Sequence, residues 1–311
     1  MEETMNTRQL QYITLESISP RVAELIGEHE AKRGSFEEMW MPSDFEHTLR
    51  RDVQISNVAA VALVFNTLTE DGLPSFHRLI ATHLGDTSVW AKWNGIWTAE
   101  ESRHGRVLGM YLNGCSQIHM RVYDEMLFTY HMHGFYPDWA MNPYRLLAYT
   151  VLQEWATQIS HTRVARLVKD DNRELAQVLG GIAQEEGRHC LFYREAFRRI
   201  LEMDAPEALK ALNAVMRSFA MPGSAIPGFS DYAYFAERAG VFTAKDFKGI
   251  IEKVIALYSL KELRLRNDEA ETARREILQF SRVLERHSTR FAGMAPRELT
   301  FPFLKESTIV I

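Results

Sequence analysis

Cysteine is scarce in this chain: Cys115 and Cys190 are the two it has in 311 residues. Both fall in apolar helical surroundings and read as reduced, buried thiols of a cytosolic protein, a single disulfide between them being the alternative. Proline and glycine are few as well, 10 and 17, which favours long helices over a turn-rich β fold. No apolar run is long enough to span a bilayer; the longest, Val58 to Phe65, has eight residues, against about 20 needed. There is no excess of positive charge. Asp and Glu number 41 against 36 Lys and Arg, for a net charge of −5, which argues against a general nucleic-acid binder. The opening residues, MEETMNTRQL, are acidic and polar and suit neither a secretory signal nor a transit peptide, so a cytoplasmic location is expected. With 46% hydrophobic and 25% charged residues, the composition is that of a soluble globular protein with a sizeable core. A single domain over residues 1–311 is expected, with an N-terminal arm at 1–20 and a β-like C-terminal tail at 296–311.

What the chain does have is a pentad written twice. EExRH occurs as Glu100-Glu101-Ser102-Arg103-His104 and again as Glu185-Glu186-Gly187-Arg188-His189. On a helix, residues three apart share a face, so Glu101 with His104, and Glu186 with His189, each aim an oxygen and an imidazole at one point. One Glu-x-x-His step is weak; the repeated pentad is specific. Two such steps plus a lone Glu from each of two further helices is a known way to hold two metal ions in a four-helix core. The lone carboxylates occur at matching spacing: Glu70 lies 31 residues before Glu101, and Glu154 lies 32 before Glu186. The pattern predicts two helical hairpins joined by a crossover, and oxygen with imidazole but no thiolate suits iron or manganese.

Helical periodicity supports this. Trp90, Trp93, Trp97, Glu101, His104, Leu108 and Tyr111 recur at steps of three and four, as do Leu175, Leu179, Ile182, Glu186, His189, Tyr193 and Phe197. Both stripes put carboxylates on an apolar face, which is costly unless they are paired or bound to metal. A third face runs through Ala59, Leu63, Asn66 and Glu70, and a fourth through Leu147, Val151, Glu154, Gln158 and His161. Pro74 predicts a kink beside Glu70, and Gly134 to Pro143 reads as the crossover loop. The tryptophan stripe reads mainly as core packing. Arg103 and Arg188 are expected to orient the ligand carboxylates. His77, His83, His131 and His133 lack a carboxylate at helical spacing and read as ordinary core or surface histidines.

Several segments resemble the soluble acyl-carrier-protein desaturases, the di-iron enzymes of plant plastids and actinobacteria. WTAEESRHG (Trp97 to Gly105) is similar to that family's WTAEENRHG, and LTEDGLP (Leu68 to Pro74) to its TEEALP segment. QEWATQISH (Gln153 to His161) resembles QERATFISH, and GVFTAKDF (Gly240 to Phe247) resembles GVYTAKDY. The resemblance runs roughly from Trp40 to Phe303 and implies an all-α, ferritin-like four-helix bundle with flanking helices. It implies two iron ions held by Glu70, Glu101, His104, Glu154, Glu186 and His189, with Glu101 and Glu186 as the bridging pair. Thr157 matches a threonine near the oxygen site. Trp40 matches a surface tryptophan that starts an electron route, and Glu185 stands where the family usually has Asp; a hydrogen-bonded series Trp40, Glu185, His189 is expected.

The implied reaction removes two hydrogens from a saturated acyl chain on acyl carrier protein, giving a cis alkene, with electrons from a ferredoxin-like donor and a homodimer as the working form. Plastid stroma would replace the cytoplasm in a plant protein. Trp139 and Leu146 stand at the expected end of the acyl tunnel, where plant members have smaller residues. An acidic carrier would need a basic patch; candidates are Arg282, Arg286 and Arg290, Lys32-Arg33, and Arg50-Arg51. Another di-iron oxygenase, a hydroxylase or N-oxygenase, would share the ligand set. A radical-generating protein would need a tyrosine beside Glu70 or Glu101, and this chain has none at that spacing. A ferritin-like metal store would leave the C-terminal hundred residues unexplained.

Overall fold

A computed structural model describes the chain except residues 1–5, 50, 51, 138, 140 and 307; the Arg50-Arg51 pair therefore lies outside the described residues. Four helices form the central bundle: α3 (Asn57–Asp71), α5 (Val89–Gly114), α7 (Pro143–Val168) and α8 (Arg173–Met203). Each starts on a residue suited to the task. Ser56, Ser88, Asn142 and Asn172 stand at the N-caps and accept a backbone N–H from the first turn, satisfying donors the helix itself leaves free.

Around the bundle lie α1 (Thr7–Ser17), α2 (Ser19–Arg33), α4 (Leu73–Leu84), α6 (Met120–His133), α9 (Ala205–Arg217), α10 (Phe229–Ala239), α11 (Ala244–Leu257) and α12 (Asp268–Ala292). The N-terminal arm is thus helical where described, and α1 packs on α2, α7 and α8. Pro74 does not kink the Glu70 helix. It sits in the first turn of α4, a new helix that begins after Gly72; proline is well tolerated there because no N–H is required. The first hairpin therefore carries α4 in its connection, whereas α7 and α8 are joined directly. Beyond α12, β1 (Glu298–Thr300) pairs antiparallel with β2 (Thr308–Val310), as the tail's composition predicts.

The apolar core comes in two parts, and the bundle helices pass through both. Trp90, Trp93 and Trp97 of α5 join Val151, Leu152, Phe192 and Tyr193 in one. Further along, Val107, Leu108 and Tyr111 join Leu63, Val164, Leu179 and Ile182 in the other. Between the two lies a buried polar layer holding Glu70, Glu101, His104, Glu154, Thr157, His161, Glu186 and His189. Gly105 lets α5 approach α3 at this level: a Cβ there would stand 2.8 Å from Asp71 Oδ1 and 3.5 Å from Glu70 Cβ.

Candidate metal centre

Each bundle helix contributes to the layer: α3 gives Glu70, α5 gives Glu101 and His104, α7 gives Glu154, and α8 gives Glu186 and His189. Their donor atoms gather into two groups, each with all atoms within 4.8 Å of one another. One is Glu70, Glu101, His104 and Glu186; the other is Glu101, Glu154, Glu186 and His189. Glu101 and Glu186 belong to both groups, as a bridging pair must.

The donor set fits two adjacent cations. Glu101 Oε1, Glu154 Oε2, Glu186 Oε1 and His189 Nδ1 are buried without a hydrogen-bond partner. His189 Nδ1 stands 2.8 Å from Glu101 Oε1 without hydrogen-bond alignment, the disposition of two donors aimed at a common third atom. Buried orphans of this kind are rare and costly, and a cation between them would remove the cost. All-oxygen and imidazole ligation suits iron or manganese.

Without a cation the groups divide the charge unevenly. Burial pushes Glu154 well up, and the Glu186 and Glu101 carboxylates add to it. Glu101 is raised by burial and by Glu186. Burial would also raise Glu70, but the His104 ring 3.7 Å away and the hydrogen bond with His161 outweigh it and hold that carboxyl low. His189 is raised to about 10: burial opposes the charge, but the hydrogen bond to Glu100 and the adjacent Glu101 carboxylate prevail. His104 is likewise raised against burial by Glu101, Glu185 and Glu186.

The outer carboxylates of the two pentads cross over. Glu185 of α8 meets His104 of α5, Nε2 to Oε2 at 2.8 Å, and Glu100 of α5 meets His189 of α8 at 2.9 Å. The expected series from Trp40 through Glu185 to His189 is therefore corrected: it reaches His104. A helix residue next to the Glu-x-x-His step points across the bundle, toward the histidine of the opposite helix. The link to Trp40 runs through Arg103, which donates to the Trp40 carbonyl at 2.9 Å and to Glu185 Oε2 at 2.9 Å. Its guanidinium lies 4.6 Å over the indole, which itself stacks 6.1 Å from the His104 ring. Arg188 also grips Glu185, at 3.1 Å. Both arginines thus hold the outer carboxylate, rather than the ligand carboxylates as expected.

On the other side, His29 of α2 bonds both Glu100 oxygens, at 3.0 and 3.1 Å. His29 escapes a reading of spacing because its partner is 71 residues away. Glu100 was legible: it is the repeat equivalent of Glu185. Two further contacts lie outside the expected set. Trp97 Nε1 donates to Glu154 Oε1 at 3.0 Å, so this tryptophan does more than pack, and His161 Nε2 meets Glu70 Oε1 at 2.8 Å. The Thr157 hydroxyl lies 3.0 Å from Glu186 Oε2. His77, His131 and His133 are engaged elsewhere, with Thr98, the Asp71 carbonyl and the Thr129 carbonyl, and His83 bonds the Leu79 carbonyl.

A cavity of about 720 Å³ runs from this layer to the surface. Glu70, Thr157 and His161 lie at its inner end, and Phe229, Phe247, Phe280 and Phe291 line its body. Helix α12 gives this cavity Phe280, Leu284, His287 and Phe291, while Arg282, Arg286 and Arg290 of the same helix are exposed. Of the Lys32-Arg33 pair, Arg33 turns inward, 3.5 Å from Glu100. Trp139 and Leu146 do not line the cavity; both are packed into the apolar core.

A profile of the fatty acid desaturase family matches residues 15–305. The chain belongs to that family. It is similar to the chloroplastic stearoyl-[acyl-carrier-protein] 9-desaturase of Gossypium hirsutum, 32% identical over 255 residues, covering 73% of this chain and 64% of that protein. A stearoyl-[acyl-carrier-protein] 9-desaturase 2 of Oryza sativa subsp. indica is 30% identical, covering 86% of this chain and 74% of the relative. A palmitoyl-[acyl-carrier-protein] 4-desaturase 3 of Ophrys sphegodes is 30% identical over 84% and 73%. The fold is shared with DesA2 of Mycobacterium tuberculosis, provisionally assigned as an acyl-ACP desaturase. Its crystal structure aligns with a TM-score of 0.58 at 20% identity, over 84% of this chain and 99% of that one. The all-α, ferritin-like fold expected of this desaturase family is the one observed, and no helix among the described residues is long and apolar enough to cross a membrane.

Proposed function

We propose that this chain is an oxygen-dependent desaturase that places a cis double bond in a saturated acyl chain carried on acyl carrier protein. Glu70, Glu101, His104, Glu154, Glu186 and His189 would hold two iron ions, with Glu101 and Glu186 shared. Bound iron would supply the oxygen activation needed to take hydrogen from an unactivated methylene, which no side chain provides. In balance, the chain loses two hydrogens, a one-electron donor of the ferredoxin type gives two electrons, and two protons and dioxygen complete two waters. The observation that carries the reading is the conjunction of two ligand groups sharing two carboxylates with an apolar cavity that ends on them at Glu70 and Thr157.

The protein's own part follows from its contacts. The phenylalanines of the cavity exclude water and hold a flexible chain in place. Thr157 keeps a hydroxyl proton between Glu186 and the cavity. Arg103 joins Trp40 to Glu185 and so to His104, a polar path from the half-buried indole inward. The exposed arginines of α12 stand beside the cavity-lining face, where an acidic carrier would dock. A homodimer acting in the cytoplasm completes the proposal.

The test is incubation with acyl-carrier-protein thioesters, a ferredoxin system and oxygen, followed by mass analysis. Loss of two hydrogens supports desaturation. Gain of oxygen would turn the assignment to a hydroxylase on the same bundle, and turnover of no acyl thioester would reject it.

A further inference from the structure

The two outer carboxylates are held in unequal ways. Glu185, which orients His104, is gripped by two guanidinium groups, Arg103 at 2.9 Å and Arg188 at 3.1 Å. Both arginines come from α5 and α8, the helices that carry ligands, and loss of either leaves the other in place. Glu100, which orients His189, is secured from α2, outside the bundle. His29 Nε2 lies 3.0 and 3.1 Å from its two oxygens, and Arg33 follows only at 3.5 Å. His29 continues the buried stripe of α2, one turn past Leu25 and Ile26. It is 4% exposed and Glu100 is 1% exposed. An ionised carboxylate only accepts, so the N–H that serves Glu100 is on Nε2, and Nδ1 is left buried without a partner. The same ring stacks on His189, with centroids 5.8 Å apart at 23°, and stands edge-on to Trp93 at 5.0 Å.

We propose that His29 is a positioning residue for the Glu154–His189 ion alone: it fixes Glu100, and Glu100 fixes the His189 imidazole. This rests on the reading of the buried layer as a two-ion centre and not on the acyl substrate. A ligating imidazole keeps its orientation only while its outer nitrogen is held. Without the His29 N–H, the buried Glu100 carboxylate loses its close donor from α2, a costly position, and is free to turn from His189 toward Arg33. The Glu70–His104 ion is insulated, because Arg103 and Arg188 hold Glu185 from the bundle itself. One ion therefore depends on the placement of α2 and the other does not. Packing alone would ask only for a side chain of this size at position 29. The geometry asks for an N–H at the height of Nε2, which a glutamine amide supplies, a leucine lacks and an asparagine is too short to reach.

The test is cobalt titration of the metal-free protein, followed by absorbance, with no turnover required. His29→Leu should leave one tight ion and one weakened by about 10–100-fold. Two further backgrounds, Glu70→Ala and Glu154→Ala, each remove a ligand of one ion and so identify the weakened one. Adding His29→Leu to Glu70→Ala should weaken the remaining ion by that factor, whereas adding it to Glu154→Ala should leave Kd unchanged. His29→Gln should recover most of the loss. If denaturant unfolding shows that His29→Leu does not fold, His29→Asn takes its place and should behave in the same way. Equal weakening of both ions would make His29 a general structural residue and overturn the proposal, as would a glutamine variant no better than leucine. A third cobalt in the wild type, lost in His29→Gln, would mean that His29, Glu100 and His189 hold an ion of their own, which also overturns it. A wild type that binds no metal would reject the two-ion centre together with this inference; two ions indifferent to position 29 would reject the inference alone.

Discussion

Glu100 and Glu185 are the residues that most repay attention to detail, because each steers the histidine of the opposite pentad. An imidazole that ligates a metal through one nitrogen is oriented, and made more basic, by what holds the other. Glu185→Gln should therefore weaken the ion on the Glu70–His104 side by about 10–100-fold, and Glu100→Gln the ion on the Glu154–His189 side by a similar factor. Cobalt titrations followed by absorbance would separate one tight from one weakened site; two equally weakened sites in either variant would contradict the crossed pairing. The same pairing sets a pH dependence. His189 is raised to about 10 and His104 also lies above its usual value, so the metal-free protein favours the protonated form of both. A metal needs the neutral imidazole, so loading releases protons and apparent affinity climbs as pH rises, up to about 10 for the His189 side. Calorimetry in two buffers of different ionisation enthalpy would show the release. Identical heats in both buffers would argue against it.

At the scale of elements, the four bundle helices were legible because each writes its buried face at steps of three and four. The stripes through Trp97 and Glu101, and through Ile182 and Glu186, are buried as the pattern requires. What periodicity did not give was the pairing between helices. Spacing along one helix says which residues share a face but not which partner that face meets, so Glu185 was joined to the wrong histidine and His29 was overlooked. Pro74 misled for a related reason, since a proline marks a break equally well as the start of a new helix. The caps allow a prediction that leaves the site alone. Asn142→Ala removes the acceptor for the Arg145 N–H at 3.0 Å and should cost about 1 kcal/mol, with metal content unchanged. Denaturant unfolding of the metal-free protein measures the first and metal analysis the second. Loss of metal without loss of stability would mean that α7 is positioned by something other than its own start.

For the whole molecule, the division of the core by a polar layer is the central fact. The six candidate ligands, four carboxylates and two imidazoles, lie between two apolar clusters, and leaving such groups unpaired in a low-dielectric interior destabilises the fold. Cations that tie α3, α5, α7 and α8 together should therefore stabilise the protein, by about 2.7 kcal/mol per site at a hundredfold excess of metal over Kd. Thermal melts with and without ferrous ion under anaerobic conditions would register this as a rise in Tm, whereas a melt indifferent to metal would mean the layer is satisfied without it. The sequence made the ligand types and their two-fold repetition plain; the cavity was not legible, because its lining is assembled from α3, α7, α9, α10, α11 and α12, far apart along the chain. The most direct test is the metal count per chain in four proteins measured together. Wild type should bind two irons, Glu70→Ala should keep about one, and Glu101→Ala or Glu186→Ala should lose both, since each of those carboxylates belongs to both groups. Two irons retained by Glu101→Ala and Glu186→Ala, or fewer than two in the wild type, would contradict a shared-carboxylate pair of sites.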